Sequence, residues 1–152
     1  MTHDALAIDL RINGPTWLVL ACDIDHLAPE AVLPWFLEPG RLRRWWGEEY
    51  EIDPQRGGSY MIRWPSIGRT LRGQIASIGS THLVFSWSFD EEPGVPAYVV
   101  ALNSIERDGG ATLEISHGAY RDDATGVAER QSHLEGWSFF LPRLLAAIRT
   151  HQ

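Results

Sequence analysis

The sequence predicts an α+β domain, a curved antiparallel sheet of about seven strands closed around one long C-terminal helix. Three observations carry this. From Ala124 to Thr150 apolar residues recur at Val127, Leu134, Trp137, Leu141, Leu144, Leu145 and Ile148, which is helical spacing with one stripe to bury. Between Thr16 and Tyr120 several segments alternate apolar and polar residues, the period of half-buried strands. Between them, residues 29–46 carry three prolines and no alternation, so two short helices follow the first strand.

In chain order, Leu6, Ile8, Leu10 and Ile12 alternate like a strand, and Asn13-Gly14-Pro15 marks a turn or bulge. Thr16 to Ile24 is a second extended run with Leu18, Leu20, Cys22 and Ile24 on one face. The two form either a hairpin or one interrupted strand. Pro29 suits an early helical position, Ala31 to Leu37 reads as a short helix despite Pro34, and Glu38-Pro39-Gly40 breaks it before a further turn at Arg41 to Trp46. Tyr50 to Asp53 is a short strand. Ser59 to Trp64 follows, with Tyr60, Ile62 and Trp64 on one face and Met61 and Arg63 on the other. Thr70 to Ile78 is the next strand, with Gly73 at a bulge or a close approach. His82 to Phe89 alternates most cleanly, with Leu83, Phe85, Trp87 and Phe89 facing one way. Asp90 to Pro96 is acidic and proline-containing, a solvated loop. Ala97 to Glu106 and Ala111 to Tyr120 flank the hairpin signal Asp108-Gly109-Gly110. On the latter strand Leu113, Ile115 and His117 share a face. Thr125 or Asp123 caps the final helix, about 24 residues and about 36 Å long, and Pro142 inside it frees the carbonyl of Ser138 and should kink it.

At 152 residues with 44% hydrophobic content, the chain is expected to be one domain over 1–152, with 1–15 as an extra strand or arm. No apolar run approaches about 18 residues, so no membrane span is expected. The first residues lack a basic region before an apolar core, so no secretory signal is expected either. Cys22 is the single cysteine, which points to a reducing, cytoplasmic compartment and, in its apolar strand, to a small core residue. Net charge is -7, which argues against nucleic acid as a partner. The 13 basic residues are all Arg, so lysine-dependent chemistry is excluded. There is no HExxH, no paired Cys, no GxGxxG and no GxxxxGK[ST], so neither a metal nor a cofactor is expected. Seven Trp give large walls that are apolar with one polar tip.

Several stretches recur together in one known family: Leu42-Arg43-Arg44-Trp45-Trp46, Gly57-Gly58-Ser59-Tyr60, Gly73-Gln74-Ile75, Leu83-Val84-Phe85-Ser86-Trp87, Ala111 to His117, and His133-Leu134-Glu135-Gly136-Trp137. Over residues 16–149 the chain resembles the activator-of-heat-shock-ATPase homologues of the START-like (SRPBCC) superfamily, with its helix-grip fold. The resemblance implies a cavity between sheet and helix that holds apolar or amphipathic small molecules. The superfamily includes lipid carriers, plant hormone binders, and polyketide cyclases and aromatases. The chain departs from the family pattern at Leu6 to Ile12 and at Pro142.

The expected ligand contacts are Trp45, Trp46, Tyr60, Trp64, Phe85, Trp87, His117, Trp137, Phe140 and Leu141, although burial alone accounts for most apolar residues on an inward face. His117 is either a satisfied core histidine or a ligand contact. His133 reads as a surface residue. Gly136 lets the helix approach the sheet or leaves room for a ligand. Three functions follow. The leading one is non-catalytic binding of a small hydrophobic or aromatic molecule. The second is cyclase or aromatase chemistry in the same pocket, with His117 as acid or base and Tyr60 or Glu135 assisting. The third is a co-chaperone-like module acting on a heat-shock ATPase, which the family name suggests. An exposed strand edge or the N-terminal segment offers a route to a homodimer.

Overall fold

A computed structural model describes residues 8–12 and 16–151. The two N-terminal runs form a hairpin: β1 (Ile8–Ile12) pairs antiparallel with β2 (Trp17–Asp25), with a register shift between Leu10 and Ile12. The turn expected at Asn13-Gly14-Pro15 lies outside the described residues. Then come helices α1 (Pro34–Leu37) and α2 (Pro39–Leu42), strands β3 (Glu49–Ile52), β4 (Ser59–Trp64), β5 (Arg69–Ile78), β6 (His82–Phe89), β7 (Tyr98–Arg107) and β8 (Gly110–Gly118), and helix α3 (Ala124–His151).

Seven strands, β2 to β8, make the curved antiparallel sheet, and β1 extends it to eight in the order β1-β2-β8-β7-β6-β5-β4-β3. Neighbours in sequence are neighbours in the sheet except β2 and β3, which lie near opposite edges. The helical segment after β2 spans that gap. Its prolines do something other than the sequence reading expected. Pro34 and Pro39 each sit in the first turn of a short helix, where the missing N–H costs nothing, so they start helices rather than interrupt them.

Strand parity places the inner face, although Val19 and Ala21 on β2 and Met61 on β4 are buried on the opposite one. Leu18, Leu20, Cys22 and Ile24 are buried on β2, Leu83, Phe85 and Trp87 on β6, and Leu113, Ile115 and His117 on β8. Gly73 is a close approach: a Cβ there would lie 1.8 Å from the Ser86 carbonyl oxygen, and the register shift in β5 falls further on, between Ile75 and Ser77. The Asp90 to Pro96 loop is tied down rather than merely solvated. Asp90 takes two hydrogen bonds from Arg72, Glu91 accepts from the Thr70 amide, and Glu92 accepts from Arg69.

Helix α3 starts on Asp123, whose Oδ1 accepts the Gly126 amide at 2.8 Å. The helix runs through Pro142. Its buried face is Trp137, Leu141, Leu144, Leu145, Ala147 and Ile148, packed on the sheet. Val127 is 55% exposed and does not belong to the stripe, which begins at the half-buried Leu134. Among the described residues, no helix is long and apolar enough to cross a membrane.

Candidate ligand site: a tryptophan-lined cavity under the last helix

After α2 the chain keeps turning: the amides of Trp45 and Trp46 both donate to the Leu42 carbonyl, at 2.9 and 2.7 Å. Gly47 ends that turn at φ +87°, against Ile62 and Tyr50, with no room for a side chain. The two indoles are thereby sent beneath the helix and stack on each other, centroids 5.3 Å apart. Trp45 goes into the core, where its Nε1–H donates to the Trp35 carbonyl. Trp46 becomes the centre of an aromatic box. It stacks on Trp87 at 5.9 Å, meets Trp64 edge-on at 6.0 Å, and touches Trp137 and Phe140.

The box is not filled. A cavity of about 200 Å³ lies between it and α3. Trp46, Trp64, Trp87, Phe89 and Ile67 line its sheet side, Arg69 one corner, and Ser132, His133, Gly136, Trp137 and Phe140 its helix side. A Cβ on Gly136 would meet nothing within 4 Å, so this glycine leaves room rather than drawing helix and sheet together.

Five of the ten expected contacts therefore come together: Trp46, Trp64, Trp87, Trp137 and Phe140. The other five are core, away from the cavity lining. Trp45 is held as described. Tyr60 is sealed, its hydroxyl donating to the Phe36 carbonyl at 2.6 Å and its ring stacked on Phe85 at 4.1 Å. Leu141 is fully buried under the helix. His117 lies behind the box. The three residues of the enzymatic reading do not converge either, since Tyr60 and His117 are enclosed and Glu135 is exposed, accepting from Gln131 on the outside of α3.

His117 is 0% exposed. Its Nδ1 accepts the Trp137 Nε1–H at 3.0 Å, which puts its own proton on Nε2. That Nε2–H has no acceptor among the described residues. Burial, and secondarily the neighbouring His133, holds its pKa well below the ordinary 6.5. His133 is a correction to the sequence reading, which put it on the surface. It is half-buried, lines the cavity, and lies flat on His117, centroids 4.2 Å apart and planes 7° from parallel. Its Nδ1 is 2.7 Å from the Tyr120 hydroxyl. Burial pushes its pKa down to about 4. Both rings are therefore neutral at pH 7. Stacked face to face, they do not point lone pairs at a common centre, and no group of three or more His, Cys, Asp or Glu among the described residues is placed to hold a metal ion.

His133, Gly136, Phe89, Ser132, Ile67 and Arg69 line the cavity without having been proposed as contacts. Two signals were available. His133 is four residues before Trp137, hence on the same helix face, and Phe89 shares strand parity with Trp87. Arg69 opens β5 with the parity of the buried Leu71 and Ile75, a signal visible only once the strand is known to begin there. Nothing in the spacing places Ile67, because a turn has no period.

With this geometry established, comparison with known proteins identifies the lineage. The family model for the Activator of Hsp90 ATPase homolog 1-like protein matches residues 26–149. The chain belongs to this family. No curated protein matches it. Among solved structures it is similar to a Rhodobacter sphaeroides protein at 18% identity and TM-score 0.79, covering 96% of this chain and 100% of that one. It is similar to MLL2253 from Mesorhizobium loti at 17% identity and TM-score 0.78, covering 90% and 98%. It also resembles DynU16, a protein of the dynemicin biosynthetic locus, at 20% identity and TM-score 0.73, covering 90% of this chain and 48% of that one. At these identities the likeness is one of fold, the START-like helix-grip architecture.

Proposed function

We propose that this protein binds a small hydrophobic or aromatic molecule in the cavity between sheet and α3. One observation carries the reading: the box of Trp46, Trp64, Trp87 and Trp137 stands open where the helix presents Gly136. Aromatic walls with few polar groups are what small-molecule sites are made of. A ligand there would sit against several indoles. It should alter tryptophan fluorescence and raise the melting temperature by mass action. A panel of aromatic and short aliphatic compounds, screened on the parent and on Gly136→Leu, tests this. Binding by the parent and none by Gly136→Leu is expected. A hit that binds both equally would place its site elsewhere.

A second reading, cyclase or aromatase chemistry in the same cavity, is favoured by one feature. His133 lines the cavity with the Tyr120 hydroxyl at 2.7 Å behind it, a pair able to relay a proton. Consumption of a polyketide substrate by the parent but not by His133→Phe would turn the binder into an enzyme. Equal rates would remove His133 from any mechanism.

A further inference from the structure

The cavity is apolar on nearly every side and cationic at one corner. Arg69 opens β5 and, among the described residues, is the only one with a formal charge in the lining; no described carboxylate lines it. Its guanidinium is held in place twice. The central carbon lies 4.1 Å over the Phe89 ring, and Nη2 donates to Glu92 Oε2 at 2.9 Å. Glu92 is outside this lining and borders a small adjoining pocket that shares Trp87, Phe89 and His133 with it, so the carboxylate anchors the arginine from the side. The side chain is 33% exposed, and because both bidentate edges of a guanidinium include Nη2, a ligand carboxylate would share that nitrogen with Glu92, taking its second N–H together with Nε–H or Nη1–H. A fixed cation with unused donors at the edge of an aromatic box is complementary to an anion attached to a ring. A guanidinium fork fits a planar carboxylate best.

Volume narrows the class further. About 200 Å³ is little more than a benzene-sized cavity of roughly 150 Å³. One ring with a short arm fills it. The geometry points to a small monocyclic aromatic carboxylate as the ligand, its ring among Trp46, Trp64 and Trp87 and its carboxylate on Arg69. This inference rests on the binding reading above and adds to it the polarity and size of the occupant.

The test compares trans-cinnamate with cinnamamide, which has nearly the same shape and no charge, by NMR titration of the indole N–H signals. For the parent, cinnamate is expected to bind at least about tenfold more tightly than the amide. Arg69→Met keeps the apolar stem and should bring the two probes to within about twofold. Arg69→Lys keeps the charge without the fork and should retain part of the preference. Equal affinities in the parent, or a preference that survives intact in Arg69→Met, overturn the carboxylate assignment while leaving the cavity as a binding site. Failure of both probes to bind the parent overturns the assignment together with the reading it rests on.

Discussion

The two ends of the space under α3 are built from the same kinds of side chain and end up in opposite states. At one end Trp35, Phe36, Trp45, Tyr60 and Phe85 meet Leu141, Leu144 and Ile148, and every one is buried within a continuous core. At the other end Trp46, Trp64 and Trp87 meet a stretch of helix carrying Ser132, Gly136 and Trp137, and a cavity remains. Aromatic residues on the sheet do not by themselves make a cavity. What decides is whether the opposing helix supplies a side chain to fill the space, and at Gly136 it does not.

The largest effect should come from damaging the filled end. Leu144 is fully buried, so Leu144→Ala should destabilise the fold by about 2–5 kcal/mol in chemical denaturation. A loss under about 1 kcal/mol would mean that this end is loosely packed and that the contrast fails.

Next is acid, which acts at the boundary between the ends. His117 and His133 are held neutral when folded, one well below 6.5 and the other down to about 4. In the unfolded chain both recover ordinary basicity. Below about pH 6.5 the unfolded state binds protons that the folded state refuses, so stability is full above that pH and falls as pH drops towards about 4. Each histidine contributes a slope of up to about 1.4 kcal/mol per pH unit. Denaturation midpoints measured from pH 7 to 4.5 should show the decline, and His133→Phe should roughly halve it. A flat profile in the parent would mean that the two rings are solvated.

Smaller effects follow from α3 itself. Asp123→Ala removes the hydrogen bond to the Gly126 amide, and should cost about 1 kcal/mol. Thr125→Ala, by contrast, should be nearly silent in the same assay. The subtlest change is a gain. Gly136→Ala trades a flexible residue for the best helix former, and its Cβ meets nothing. It should stabilise the fold by roughly 0.5–1 kcal/mol. Destabilisation by this methyl would show that the cavity is already closed at that point.

Strand periodicity carried the fold because burial on one side of a pleated sheet leaves a period of two in the residues themselves. Leu83, Phe85 and Trp87, or Leu113, Ile115 and His117, could be assigned to the inner face without coordinates. The same logic failed where the period breaks. Pro34 and Pro39 look like interruptions in a sequence, and only the backbone shows that each occupies a helix's first turn. Val127 matches the helical spacing but lies in the exposed first turns of α3, because helical spacing says which residues share a face and not how much of that face is covered.

The site divides the same way. That tryptophans would crowd beneath the last helix was written in their positions along β4, β6 and α3. Which of them would touch open space was not. Tyr60 and Trp64 have the same parity on the same strand, yet Tyr60 is capped by the Phe36 carbonyl while Trp64 borders the cavity. Arg69 has the inward parity of Leu71 and Ile75, but the alternation in the sequence reads as starting one residue later, at Thr70, which leaves Arg69 in the turn.

The sequence alone thus determined the sheet, the long helix and the aromatic character of the space between them, because each follows from local spacing and one-sided burial. The tertiary structure alone decided that this space is full at one end and open at the other, that two neutral histidines lie stacked at its wall with His133 lining it, and that an arginine guards its edge. Those outcomes depend on how elements far apart in the chain meet, and the volume left between two surfaces is a property of neither surface by itself.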